Sequence, residues 1–443
     1  MDIEGLQQYL FTGAGASIDS RTLSPGEVFF ALPGTRTHGA AYARNAWEKG
    51  AAYIVLPTEY ALPEGVPMEN IIFTEDPLAL LGKVAAAYRR LFSLPVIAVG
   101  GSNGKTTTKA LLGHILSQHA PTLISPKSWN NAIGIPLTLL RLKPFHKFAV
   151  VEIGDNRPGE VRELCYILQP TMGLITNVGE DHMEGYGSLQ ANRATKWELA
   201  HYLIENGGKW LLLNGEDKWL ASQHLPERLQ VEYFGTHPLA CVSGEWIPID
   251  WWHSRLIIKV NGETFESELP LWGSYNRLNV LAALAAGHLL GLAPEKMIEA
   301  LVSFQTEACR SQVFQRGEQI IILDAYNANP SSLRASLEAL WETLRAPQSA
   351  ALILGQMEEL GSYTYEAHYA VIRQLLPHSF HIQGVVFIGP YWREVLRDSL
   401  PFRWEWRSSV NELKDTPPHW LTEASVLYLK GSRKQALEKF LER

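Results

Sequence analysis

The sequence predicts an α/β protein of three domains, with a central, doubly wound parallel sheet of the phosphate-loop ATPase kind. A small α/β domain precedes it and a Rossmann-like α/β domain follows. Three observations lead there. Short apolar runs alternate with helical patterns along most of the chain, the signature of buried parallel strands joined by crossovers. One run, Val96-Ile-Ala-Val-Gly100, opens directly into Gly101-Ser-Asn-Gly-Lys-Thr-Thr107. The length of 443 residues, 46% of them hydrophobic, accommodates about three cores of ordinary size.

In chain order, residues 1–75 form the small first domain. Its strands are read at Val28–Leu32 and Ala52–Leu56, around a helical stretch from Ala41 to Lys49. Residues 76–304 form the central domain. A helix over Leu78–Phe92 precedes the glycine loop and one through Leu111–Leu116 follows it. Strands are expected at Phe148–Ile153, Met172–Thr176 and Trp210–Leu213. Residues 240–272, rich in Trp and alternating at Ile257, Ile258 and Val260, read as a hairpin insertion. Val280–Leu292 is apolar but too short for a membrane span, so it is a core helix. Residues 305–443 form the third domain, with strands at Ile320–Leu323, Ala351–Leu354, Val385–Ile388 and Val426–Leu429.

Charge and cysteine usage exclude several classes. A net charge of −7 and a pI near 6.1 are opposite to a nucleic-acid footprint. Three widely spaced cysteines suggest neither a disulfide framework nor a zinc site. The start, Met1-Asp-Ile-Glu4, is acidic where a signal peptide is basic, and no apolar run reaches the roughly 18 residues of a membrane span. A cytoplasmic protein, without membrane insertion and monomeric, is the expectation.

The glycine loop carries the first chemistry. Glycines let backbone N–H groups close around phosphate oxygens, and the following helix adds its positive end. Lys105 would meet the outer phosphates and Thr106 a magnesium ion. A strict phosphate loop has glycine six residues before the lysine, where this chain has Val99; counted from Gly100, the loop is one residue short. Glu152, at the end of an apolar strand, is a candidate metal ligand, although strand-end acids are often only solvated. His182 and Lys196 are open by spacing alone: a lone histidine is commonly structural and a lysine commonly makes a surface salt bridge. Asp19-Ser20-Arg21 reads equally well as turn chemistry.

Read together, these pieces resemble the Mur ligases over essentially the whole chain. Gly101-Ser-Asn-Gly-Lys-Thr-Thr107, Asn130-Asn-Ala-Ile-Gly134, Glu152-Ile-Gly154, Thr176-Asn-Val-Gly179 with His182, Lys196-Trp-Glu198, Tyr275-Asn-Arg-Leu-Asn279 and Asp324-Ala-Tyr-Asn-Ala-Asn-Pro330 occur in that family's order. Tyr326-Asn-Ala-Asn-Pro330, Leu354-Gly-Gln-Met-Glu-Glu-Leu-Gly361 and Lys430-Gly-Ser-Arg433 look like the branch that adds D-alanyl-D-alanine. The Asp-Asn-Pro-Arg signature of the branch that adds the third amino acid is not found in the sequence.

The resemblance implies an ATP-dependent amide ligase of peptidoglycan precursor synthesis. Its substrates would be UDP-N-acetylmuramoyl-tripeptide and D-alanyl-D-alanine, joined through an acyl phosphate. It assigns Gly101, Ser102, Asn103, Gly104, Lys105, Thr106 and Thr107 to the phosphates, Asn276 and Asn279 to the adenine, Arg310 to the γ-phosphate, and Asp324 and Tyr326 to the ribose. Thr106 and Glu152 would hold one magnesium, and His182 and a carbamylated Lys196 a second. Asp19, Ser20 and Arg21 would bind the uridine nucleotide. Asn130, Asn131, Asn327, Asn329, Lys430, Ser432 and Arg433 would meet the peptide substrates. The chain departs from the family pattern at Ile153, Asp155, Arg157, Trp197 and His38-Gly39-Ala40. Rival readings are a folylpolyglutamate synthase-like ligase and a nucleotide-binding protein without catalysis.

Overall fold

Four short strands, β1 (Ala16–Ser17), β2 (Val28–Phe30), β3 (Tyr53–Pro57) and β4 (Ile71–Thr74), make the first sheet, all parallel and in sequence order. The computed structural model describes residues 2–13, 15–35, 37–396 and 399–442. Asp76-Pro77 then starts a helix over Pro77–Arg89: the aspartate accepts from the Leu78 and Ala79 N–H groups at 2.8 and 3.0 Å, and proline sits where its missing N–H costs nothing. Leu81, Val84, Ala85 and Tyr88 face one core shared by the first two sheets. The helix packs on Ile3–Phe11 of the first unit and on helices Gly134–Leu139 and Glu160–Leu168 of the second, so it seals the joint between them.

The second sheet holds β5 (Val96–Gly100), β6 (Thr122–Ile124), β7 (Phe148–Glu152), β8 (Met172–Ile175), β9 (Trp210–Asn214), β10 (Gln230–Phe234), β11 (Ala240–Pro248), β12 (Ser254–Val260) and β13 (Glu263–Leu269). Their order is β13-β12-β11-β10-β9-β8-β5-β7-β6. From β6 to β10 every pairing is parallel, and β5, in the middle, carries residues buried along its whole length. The expected hairpin is a larger feature: β11 joins β10 in parallel, and β12 and β13 continue antiparallel. Its tryptophans have a structural reason, since Trp251 and Trp272 pack in the core of the third unit and Trp272 Nε1 donates to Thr343 Oγ1 at 3.2 Å.

The third sheet runs β14 (Gln312–Arg316), β15 (Gln319–Asp324), β16 (Ala350–Gly355), β17 (Ile382–Ile388), β18 (Trp404–Arg407) and β19 (Val426–Lys430), ordered β14-β15-β19-β16-β17-β18. Only the β14–β15 pair is antiparallel. Edge strands β6, β14 and β18 escaped the sequence pattern because they are short or half polar, as sheet edges tend to be. Helix Asn276–Leu289 begins four residues before the expected Val280, which brings Asn276 and Asn279 into its first turn. In parallel sheets the ligand crevice lies beyond the carboxyl ends of the strands. The ends of β5, β7 and β8 in one unit and of β15 and β19 in the other all reach a single cleft of about 590 Å³. Among the described residues no helix is long and apolar enough to cross a membrane.

Candidate active site

The loop after β5 is shaped by two glycines with left-handed backbones, Gly101 at φ 123° and Gly104 at φ 80°. Side chains are excluded there: a Cβ on Gly101 would lie 2.2 Å from Thr176 Oγ1, and one on Gly104 2.1 Å from Asn279 Oδ1. The loop is clamped from the segment after β8, where Asn177 receives Ser102 N–H on its carbonyl at 2.9 Å and Asn103 N–H on Oδ1 at 3.0 Å. Lys105 opens helix Lys105–His119 and bends back to donate to the Gly101 and Ser102 carbonyls at 2.6 and 3.2 Å. Its ammonium is thus held over the concavity where an anion would sit.

One residue on, Thr106 Oγ1 donates to Glu152 Oε2 at 2.8 Å and accepts from Arg310 Nη2 at 2.9 Å. Glu152 is 2% exposed, and its other oxygen accepts from Asn130 Nδ2 at 2.8 Å. A hydroxyl and a carboxylate side by side beneath a phosphate loop fit magnesium, a hard ion that binds one or two such oxygens plus phosphate. Lys109, buried on the same helix, lies 3.9 Å from Glu152 and 3.6 Å from Glu307, and donates to the Lys127 carbonyl. Burial pushes its ammonium below the usual lysine range, against the pull of both carboxylates.

The opposite wall comes from the third unit. The Arg310 guanidinium stacks 3.9 Å from the Tyr326 ring, and Tyr326 OH bonds Ser128 Oγ of the second unit. Asp324 ends β15 and is tied to Lys430 Nζ at 2.5 Å, to Ser336 Oγ at 3.2 Å and to the Ser311 N–H at 3.2 Å. Asn103 of the loop donates to Ser331 Oγ and accepts from Asn329 Nδ2, both at 2.8 Å. Asn329 also caps helix Pro330–Thr343, so the start of that helix is fastened to the phosphate loop. Asn279 points at the loop while its Nδ2 donates to Asn276 Oδ1 at 3.0 Å; Asn276 itself lies behind, bonded to the Trp272 carbonyl at 2.8 Å.

His182 and Lys196 each meet carboxylates. His182 Nδ1 pairs with Glu359 Oε2 of the third unit at 2.5 Å. Lys196 is neither a surface lysine nor a neighbour of Glu198: its Nζ is buried, 2.8 Å from Asp155 Oδ2 and 3.2 Å from Asp181 Oδ1. Glu198 instead accepts the Gly159 and Arg162 N–H groups at 2.9 Å each. Burial alone would raise the Asp181 carboxyl, but Lys196, Lys105 and the donors Ser102 and Asn192 hold it below the usual range. Among the described residues no group of three or more His, Cys, Asp or Glu is placed to hold a metal.

Comparison with known proteins gives this cleft its context. Residues 14–89 match the catalytic domain of the Mur ligase family, residues 99–287 the Mur ligase middle domain, and residues 309–419 the Mur ligase glutamate ligase domain. A UDP-N-acetylmuramoyl-tripeptide–D-alanyl-D-alanine ligase of Bacillus subtilis is 31% identical over 355 residues, spanning 80% of this chain and 76% of its own. The Synechocystis enzyme of the same name is 34% identical over 362 residues, spanning 80% and 74%. The chain belongs to the Mur ligase family. Crystal structures agree: MurF from Acinetobacter baumannii superposes with a TM-score of 0.85 at 26% identity, covering 99% of this chain and 97% of that one. A MurF ligase of Thermotoga maritima in complex with ADP superposes at 0.82 with 25% identity, covering 98% and 97%.

Several positions named from the Mur ligase resemblance lie outside the cleft. Asp19 and Arg21 form a mutual pair in the first unit at 2.7 Å, beside the buried Ser20; hydrogen bonds from Arg21 hold the Asp19 carboxyl down at about 2. Asn131 Oδ1 accepts the Ile133 and Gly134 N–H groups at 3.1 and 2.9 Å, in the turn that leads into helix Gly134–Leu139. Arg433 pairs with Glu438 at 2.7 Å on the surface, while Ser432 is buried with its Oγ unpartnered. Asn327 lines the cleft and its carbonyl accepts from Lys430 at 3.4 Å. Thr107 lines it too. Sequence reasoning gave no role of their own to Ser128, Asn177, Tyr275, Ser331 and Glu359. Asn177 was within reach, as the polar residue following a strand next to the loop strand; Glu359 was not, since only the packing of two units brings it to His182.

Proposed function

We propose that this chain is an ATP-dependent amide ligase joining D-alanyl-D-alanine to UDP-N-acetylmuramoyl-tripeptide in peptidoglycan precursor synthesis. One observation carries the reading: likeness to enzymes of that name extends through all three units, and Lys105, the Thr106–Glu152 pair and Arg310 face one cleft between two of them. In this reading residues 1–75 take the uridine nucleotide through Asp19, Ser20 and Arg21. Residues 76–304 hold ATP, and residues 305–443 close on it and bind the dipeptide near Asn327, Asn329, Lys430, Ser432 and Arg433. A cytoplasmic monomer is consistent with nucleotide-linked substrates.

The terminal carboxylate of the tripeptide attacks the γ-phosphorus, the bond to the bridging oxygen of ADP breaks, and an acyl phosphate results. The dipeptide amine then adds to the acyl carbon, loses a proton and expels phosphate. Transfer between two anions needs neutralisation and alignment more than covalent help from the protein. Lys105 leaves its loop carbonyls for the outer phosphates. Arg310 turns from Thr106 to the γ-phosphate, steadied by the Tyr326 ring; a cation over an aromatic face is attracted by roughly 0.5–2 kcal/mol. Magnesium held by Thr106 and Glu152 supplies further neutralisation when bound. The Asn103–Asn329–Ser331 contacts keep the wall of the third unit against the loop, excluding water from a hydrolysable intermediate. Carbamylation of Lys196 forms no part of this reading, because its ion pairs favour the ammonium.

The test is ADP formation with ATP, magnesium, D-alanyl-D-alanine and UDP-tripeptides bearing diaminopimelate or lysine. Expected is ADP release that requires a tripeptide and the dipeptide together. Release with a single amino acid in place of the dipeptide, or with a folate substrate, would overturn the assignment.

A further inference from the structure

We infer that Lys196 of this chain is an unmodified ammonium locked between Asp155 and Asp181, and that Asp155 offers the cleft the carboxylate which a carbamate on Lys196 would otherwise offer. The inference concerns the same cleft as the ligase reading and rests on it for the role of Asp155, but its first readout is the covalent state of one side chain. The two can fail separately.

Lys196 Nζ lies 2.8 Å from Asp155 Oδ2 and 3.2 Å from Asp181 Oδ1, and all three side chains are at most 5% exposed. The cage is tightly specified. Tyr186 OH also donates to Asp155 Oδ2, and the Lys196 ammonium lies 5.2 Å from the Tyr186 ring centroid. Ser102 Oγ and Asn192 Nδ2 donate to Asp181 Oδ1 at 2.6 and 2.9 Å. One ammonium with two carboxylates leaves a formal charge of −1.

Carbamylation takes one proton from the ammonium, joins the neutral amine nitrogen to carbon dioxide and releases a second proton, turning the cation into an anion. The same buried space would then hold three negative groups and a charge of −3. Paired buried charges are tolerated because each is compensated; uncompensated ones are costly. The hydrogen-bond balance runs the same way. Asp181 Oδ2 is already buried without a partner, so the cluster is short of donors. A carbamate would remove two of the three ammonium hydrogens and add two acceptor oxygens. Meanwhile Asp155 lines the cleft with Glu152, whereas Lys196 and Asp181 stand behind it. A carboxylate backed by a buried ammonium thus stands where a carboxylate-like carbamate was expected.

The covalent state is read directly. Enzyme equilibrated with 13C-bicarbonate at about pH 8 is examined by 13C NMR, and in parallel trapped with a trialkyloxonium salt and digested for peptide mass spectrometry. Expected are no carbamate carbon beyond that of the Lys196→Arg variant and no alkyl carbamate on the peptide containing Lys196. A resonance lost in that variant, or the trapped ester on Lys196, overturns the inference; the trapping needs no variant at all. For Asp155 the probe is Mn2+ titrated into the ADP complex by EPR. Asp155→Asn, and Asp155→Glu in case the first does not fold, should bind Mn2+ roughly tenfold more weakly, the scale of a lost ligand-shell contact. Unchanged binding in either folded variant overturns the role given to Asp155.

Discussion

Two buried charge clusters flank the cleft, and they behave in opposite ways. Thr106, Glu152, Asn130 and Arg310 form an open cluster, in which all four residues line the cleft. Lys196, Asp155 and Asp181 form a closed one, in which the ammonium is consumed by its two partners. Family signatures mark Lys105, Glu152, His182 and Lys196 alike. What separates them is the neighbours: Glu152 is surrounded by neutral donors and cations, whereas Lys196 meets two acids. A signature residue keeps the role its signature suggests only where the surrounding charges still allow it.

The largest effect should fall on the open cluster. Lys105→Ala is expected to lower kcat at least about a hundredfold, the scale of removing a preorganised electrostatic contact, with circular dichroism unchanged. The hydrogen bonds of Lys105 Nζ go to the Gly101 and Ser102 carbonyls of its own loop, so the sheet and helices should form without it. Retained turnover would erase the contrast between the clusters.

In the closed cluster the main loss should be stability. Lys196→Ala strands two buried carboxylates and should cost about 3–5 kcal/mol in chemical denaturation, the usual result of removing one partner of a buried pair. Lys196→Arg keeps the charge and should lose much less. Equal stability of wild type and Lys196→Ala would show that the lysine is not the cluster's counter-charge.

A smaller effect tests the border of that cluster, where Glu359 meets His182. The segment carrying Glu359 is held by His368, whose Nε2 accepts the Met357 N–H at 3.0 Å while Nδ1 bonds the Thr364 carbonyl at 2.7 Å. Burial pulls the His368 imidazole down to about 4. Unfolded, it takes its proton near 6.5, so the stabilisation is complete above that value and is lost as pH falls toward 4. Between pH 7 and about pH 5 the loss should be about 2 kcal/mol. Thermal unfolding of wild type and His368→Gln at both pH values checks this, since the variant should lack that part of the slope.

The smallest expected effect lies far from both clusters. Arg21 is 85% exposed and free to exchange Asp19 for an anionic ligand. Arg21→Ala should raise KM for the UDP-tripeptide about tenfold, roughly 1.4 kcal/mol, with the KM for ATP unchanged. Equal loss for both substrates would move the uridine site elsewhere.

Where chemistry depends on a few consecutive residues, it was legible in the sequence. The glycine loop, the parallel strands beside it and Glu152 at a strand end could be placed because turn geometry and apolar periodicity are local. What could not be read depends on units meeting. The Trp-rich stretch read as a hairpin insertion in the central domain, yet Trp251 and Trp272 sit in the core of the third unit. Asn131, read as a substrate residue, also accepts the Ile133 and Gly134 N–H groups through Oδ1, a tie that no sequence motif announced. The Lys196 environment needed three segments at once: the end of one loop, Asp181 beyond β8, and a helix. Only Asp155, noted as a departure from the family pattern, hinted at it.

The central claim is that this cleft activates a carboxylate by phosphorylating it. The direct measurement follows oxygen: UDP-tripeptide labelled with 18O in its terminal carboxylate is turned over with ATP and D-alanyl-D-alanine, and the released phosphate is analysed by mass spectrometry. One labelled oxygen carried into phosphate is the predicted result, since phosphate leaves the acyl carbon with the oxygen that attacked the γ-phosphorus. Unlabelled phosphate, with amide formed and both labels accounted for elsewhere, would contradict the account.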